Sequence, residues 1–110
     1  MHELAITQGV VDAVTERTGD APVTSVRLRV GRLAGVVPDA MRFCFELVTA
    51  GTPLEGAALE FEQPEGRGRC RTCGAEFVLA DLILLCDCGS ADVEVLAGRE
   101  FAVASVVLAS

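Results

Sequence analysis

Four of the five cysteines of this 110-residue chain fall in one stretch, CRTCGAEFVLADLILLCDC, as Cys70, Cys73, Cys86 and Cys88. Their spacing is C-x2-C-x12-C-x-C. Four thiolates fill the tetrahedral shell of Zn(II) and leave no open position for a substrate water, so the chemistry they predict is structural rather than catalytic. In a reducing compartment, cysteines spaced in this way are metal ligands before they are disulfides. The spacing is close to that of a zinc ribbon, but the second pair is C-x-C and reaches one ion only with the local chain extended. Two other readings are weaker. Reduced core cysteines are uncommon at this spacing. A thioredoxin-like redox pair is disfavoured because Cys70-Arg71-Thr72-Cys73 follows no clear strand and opens no helix. Cys44 stands apart between Phe43 and Phe45, and reads as a buried small hydrophobe.

The second candidate for chemistry is His2, the only histidine, between Met1 and Glu3 in the opening MHELAITQGV. A terminal histidine is usually idle. Here a bulky second residue retains the initiator methionine. The Met1 amine, the His2 backbone nitrogen and His2 Nδ1 can then close adjacent chelate rings around one metal. Such a nitrogen-rich, nearly planar set suits Ni(II) or Cu(II) better than Mg or Ca. A helix that begins at once would hold these groups on a defined scaffold.

The elements that must position both sites are legible from periodicity. Over residues 4–17, Leu4, Ile6, Val10, Val11, Ala13 and Val14 share one half of a helical wheel, opposite Gln8, Asp12 and Glu16. Gly19-Asp20-Ala21-Pro22 ends that helix. VTSVRLRV alternates, with Val26, Leu28 and Val30 inward and Arg27 and Arg29 outward. A second helix follows, with Pro38 in its first turn and Gly51 at its C-terminal cap. Met41, Phe45 and Val48 recur along it, with Cys44 and Leu47 beside them. AALEFEQ alternates again, and its outward Glu60 and Glu62 are placed to meet Arg27 and Arg29 across an antiparallel ladder. EFAVASVVLAS reads as a third strand. The expected fold is α+β: two helices packed on a small antiparallel three-stranded sheet, with an inserted four-cysteine zinc-ribbon-like domain. The expected division is a discontinuous domain of residues 1–65 and 98–110, and a zinc-binding domain of residues 66–97.

Composition narrows the function. Net charge is −7, and all nine cationic residues are Arg, which argues against a surface built to neutralise phosphates. Within residues 67–92, Arg67, Arg69 and Arg71 face Glu76, Asp81, Asp87 and Asp92, and Phe77 is the lone aromatic. That balance disfavours a nucleic-acid-binding ribbon. FVLADLILLC is the longest apolar run and is far shorter than the ~20 residues of a membrane span. With no secretory signal visible, a cytoplasmic location is expected. No second histidine is available to orient a catalytic pair, and a chain without Lys holds no P-loop. A non-enzymatic role is expected.

MHEL at the start, a GRLAG strand exit, an FCFELV helix, a four-cysteine insert ending CGS and a G-R-E lead into the last strand together resemble the HypA/HybF family. These are nickel metallochaperones of [NiFe]-hydrogenase maturation, related members also supporting urease. The resemblance covers essentially the whole chain. It implies Ni(II) as transferred cargo at the Met1 amine and His2, with Glu3 as ligand or close partner. It further implies structural Zn(II) at Cys70, Cys73, Cys86 and Cys88. The implied partners are a HypB-type GTPase and a hydrogenase large-subunit precursor. The chain is expected to be a monomer or weak homodimer. Two positions depart from the family pattern: its second cysteine pair is usually C-P-x-C, and many relatives carry an acid near Val37, where the nearest carboxylate here is Asp39. The rival readings are a zinc-ribbon adaptor with an inert terminus and a metal-dependent enzyme using the terminal site.

Overall fold

The computed structural model describes residues 2–109. The elements run α1 (Glu3–Thr18), β1 (Val23–Val30), α2 (Pro38–Thr49), β2 (Ala58–Glu62), β3 (Gly66–Cys70), β4 (Glu76–Leu79), β5 (Val93–Ala97) and β6 (Phe101–Leu108). They form two three-stranded sheets, ordered β2-β1-β6 and β4-β3-β5. Two compact units result. One gathers the residues up to Leu28, Val36–Phe61 and those from Ala102 on; the other gathers Arg29–Gly35 and Glu62–Phe101.

In the first unit, α1 and α2 pack on each other. Helix α1 buries Thr7, Val10, Val11 and Val14, a stripe at helical spacing. Thr7 is buried because its hydroxyl donates to Glu3 O at 2.6 Å. Leu4, which shares a half-wheel with the valines, is instead exposed. Helix α2 opens on Pro38 and buries Met41, Phe45 and Thr49. Gly51 follows its end at φ +77°, a left-handed conformation that suits glycine. Cys44 is only partly buried, and Phe43 and Leu47 are exposed, so the apolar face of this helix is wider than what its neighbours cover. Arg42 ties α2 to β2, donating through Nε to Leu59 O at 3.3 Å and lying 4.9 Å from the Phe61 ring centroid.

Strand β1 alternates as expected, with Val26, Leu28 and Val30 buried. It runs antiparallel to β6: Ala109 N–H donates to Pro22 O and Gly31 N–H to Glu100 O, so partners descend along β6 as they climb along β1. The outward pairs also form, Arg27 with Glu60 at 2.9 Å and Arg29 with Glu62 at 3.6 Å. They ascend together, which makes β2 run with β1 rather than against it and corrects the expected antiparallel ladder in direction, not in partners. The reason lies in the connection. A helix separates the two strands, and a strand–helix–strand crossover returns in the same direction, whereas an antiparallel neighbour follows from a short hairpin.

The second unit is built on β3, which pairs antiparallel with both β4 and β5. Gly66, Gly68 and Cys70 are buried along it while Arg67 and Arg69 are exposed. Inward glycines are required: a Cβ on Gly68 would come within 2.9 Å of Val93 Cγ1, and one on Gly66 within 2.6 Å of Leu79 O. Cys70 is therefore the last residue of a strand, contrary to the expectation that no strand precedes Cys70-Arg71-Thr72-Cys73.

Candidate metal centre

Each half of the cysteine cluster sits on a tight turn. In the first, Cys70 N–H donates to Ala75 O and Gly74 N–H to Cys70 O, both at 2.9 Å. Gly74 takes φ +78°, which closes the turn directly after Cys73. In the second, Gly89 N–H donates to Cys86 O and Cys86 N–H to Ser90 O, again at 2.9 Å. This second turn contains the shortened pair Cys86-Asp87-Cys88 and still brings both sulfurs to the cluster.

All four Sγ atoms lie within 4.8 Å of one another. Cys70 Sγ to Cys88 Sγ is 3.7 Å, and Cys73 Sγ to Cys86 Sγ is 3.6 Å. Four thiolates around zinc at ~2.3 Å are separated by about 3.8 Å along each tetrahedral edge. Two opposite edges thus already have the length a tetrahedral ion requires, and all four cysteines are free thiols. Cys70 and Cys86 are buried and form a small core with Val93, against which Phe77 and Leu84 pack. Cys73 and Cys88 face solvent.

The four sulfurs are electrostatically unequal. The Cys73 backbone N–H, 3.5 Å from Cys70 Sγ, outweighs burial. With further donation from Thr72 N–H and the Cys88 and Cys73 thiols, it holds the Cys70 thiol down at about 6. At Cys86 the Cys88 backbone N–H pulls downward, but burial and the surrounding Cys73, Cys88 and Cys70 thiols push it up to about 12. Charge thus settles on Cys70, with two backbone donors, before Cys86, with one. A divalent ion would draw the remaining protons off, since coordination needs thiolate.

Links between the two turns lie outside the sulfurs. Arg71 N–H donates to Asp92 O at 2.9 Å, and the Arg71 guanidinium pairs with Asp92 Oδ1 at 2.9 Å. Thr72 Oγ1 and Ser90 Oγ share a hydrogen bond of 2.8 Å. Neither hydroxyl stood out in the cysteine pattern; their only sequence signal is a hydroxyl residue inside one turn and another just past the other.

At the other candidate site, His2 caps α1 without a side-chain capping bond, and its carbonyl accepts from Ile6 N–H at 2.9 Å. Its side chain is exposed, and Glu3 beside it is partly buried in the first helical turn. Met1 lies outside the described residues. In the loop before α2, Val37 is exposed, and Asp39 in the first turn of α2 pairs with Arg42 at 3.1 Å.

The model of the family described as "Hydrogenase/urease nickel incorporation, metallochaperone, hypA" matches residues 1–108. The hydrogenase maturation factor HypA of Geotalea uraniireducens is 49% identical over 104 residues, covering 94% of each chain. That of Chlorobaculum tepidum is 45% identical over 112 residues, covering 98% of this chain and 99% of its own. The solution structure of the Ni metallochaperone HypA from Helicobacter pylori superposes with a TM-score of 0.65 at 18% identity. It covers 98% of this chain and 97% of its own.

Proposed function

The chain belongs to the HypA family of hydrogenase/urease nickel-incorporation metallochaperones, and on that premise we propose that it carries Ni(II) at its amino terminus during [NiFe]-hydrogenase maturation. The observation that carries this reading is the extent of the family match, which begins at residue 1 and runs past all four clustered cysteines.

The ligands proposed for nickel are the Met1 amine, the His2 amide and imidazole nitrogens, and Glu3. The exposure of His2 suits a carrier that must release its cargo. Its place ahead of α1 supports the amide as a ligand, because the first N–H groups of a helix have no intrahelical acceptor to give up. Glu3 stands one residue on, in the first turn.

Zn(II) at Cys70, Cys73, Cys86 and Cys88 is the proposed structural ion, supported by the two sulfur–sulfur edges of tetrahedral length. Bound there, it would cross-link two turns that have few buried side chains of their own. We assign the nickel role to residues 1–65 and 98–110, and the zinc role to residues 66–97. With no P-loop lysine in the chain, energy for transfer must come from a HypB-type GTPase, and the recipient is a hydrogenase large-subunit precursor. A cytoplasmic location is part of the same proposal; no helix of the described residues is long and apolar enough to cross a membrane.

Calorimetric titration of nickel into three proteins tests the site. His2→Ala removes the imidazole, and a Gly-Ser extension before Met1 moves the amine while leaving His2 in place. Both should lose specific nickel binding and keep zinc. Full affinity in the extended protein would exclude the amine chelate. Full affinity in His2→Ala would overturn the terminal nickel site and leave a zinc-ribbon adaptor.

A further inference from the structure

We propose that Thr72 and Ser90 form a hydroxyl clamp that positions the two cysteine turns and thereby sets how tightly the metal is held. The inference rests on the reading of the four cysteines as a metal site, and it concerns residues that are not ligands.

Thr72 lies between two ligand positions, Cys70 and Cys73, and Ser90 follows the other two, Cys86 and Cys88. Their hydroxyls meet at 2.8 Å, across the same gap that the sulfur pairs Cys70–Cys88 and Cys73–Cys86 span at 3.7 and 3.6 Å. Ser90 is a junction of three bonds. Its carbonyl accepts Cys86 N–H at 2.9 Å, its hydroxyl accepts Asp92 N–H at 3.1 Å, and the same hydroxyl reaches Thr72. One residue therefore fixes a ligand-bearing turn and ties it to the opposite turn.

This chain has particular need of such a tie. The second pair is C-x-C, one residue shorter than C-x-x-C, so both of its sulfurs are placed by a shorter turn. The Arg71–Asp92 ion pair also spans the gap, but between side chains that are more than half exposed, where such pairs contribute little. The hydroxyl bridge is exposed too, but it is short at 2.8 Å, and it joins the residue directly before Cys73 to the residue two places after Cys88. Groups that orient metal ligands without touching the ion commonly tune metal affinity.

The test uses the full chain and zinc competition against a chromophoric chelator, with Co(II) spectra as a check on the ligand set. Thr72→Val removes the hydroxyl at constant shape and should weaken zinc about 3- to 10-fold, the scale of one neutral hydrogen bond. Ser90→Ala also loses the bond from Asp92 N–H and should weaken zinc at least as much. Thr72→Val added to Ser90→Ala should cost nothing more, and Thr72→Ser should keep near-normal affinity. All variants should retain the tetrahedral-thiolate Co(II) bands of the parent. Unchanged affinity in Thr72→Val, or fully additive losses in the double variant, would overturn the clamp. If the parent protein itself showed no thiolate Co(II) bands, the metal-centre reading would fail, which is a separate result.

Discussion

Cys73→Ser isolates one ligand better than any other substitution in the cluster. Cys70 is fully buried and Cys86 nearly so, and a serine at either would also bury a hydroxyl in an apolar core, at a cost of about 1–3 kcal/mol if unpaired. Cys73 is exposed, so its replacement removes a thiolate and little else. Structural zinc sites in small domains contribute roughly 10–16 kcal/mol of apparent binding energy. Shared over four sulfurs, one ligand accounts for about 2.5–4 kcal/mol, or roughly two to three orders of magnitude in affinity. Cys44→Ser is the control, since Cys44 lies on α2 and outside the cluster. Zinc content after chelator challenge, with hydrogen exchange over residues 66–97, reads the effect. The variant should lose zinc and local protection where the control keeps both. Equal damage from Cys44→Ser, or undiminished zinc in Cys73→Ser, would refute the reasoning.

Gly31→Ala should destabilise the second unit by about 1–3 kcal/mol or more, because the new Cβ would collide with the carbonyl carbon and oxygen of Gly98, backbone that cannot swing aside; a normal denaturation midpoint would contradict this. Zinc affinity should fall as pH falls. Cys86, pushed up to about 12, yields a proton to the metal throughout the neutral range. Cys70, held down at about 6, is thiolate above that value and must also be deprotonated below it, so the pH dependence should steepen by about one proton below pH 6. Competition titrations at pH 7.5, 6.5 and 5.5 check this, and a flat profile would count against the assignment.

The four-cysteine cluster was legible because paired cysteine spacings place thiols on facing turns, and the departure at Cys86-Asp87-Cys88 did not prevent the sulfurs from converging. Strand β1 was legible because its alternation is carried by large side chains. Strand β3 was not, because its inward positions are Gly66 and Gly68, so a buried face reads as an arginine–glycine loop. The direction of β2 was hidden for another reason. Side-chain alternation gives which faces meet, and the same Arg27–Glu60 and Arg29–Glu62 pairs suit either direction until the helix between the strands is counted. Leu47 was misleading in the opposite sense, since helical spacing marks an apolar face without saying how much of it is covered. The Thr72–Ser90 bridge joins residues far apart in the chain through two common side chains, and no local pattern announces it.

Nickel delivery is the central claim, and transfer of labelled nickel from the loaded protein to a hydrogenase large-subunit precursor, with GTPase and GTP present, tests it most directly. Nickel should appear in the precursor while zinc stays with the carrier, and the His2→Ala protein should deliver no more than free nickel in buffer does. Delivery by His2→Ala equal to that of the parent protein would contradict it.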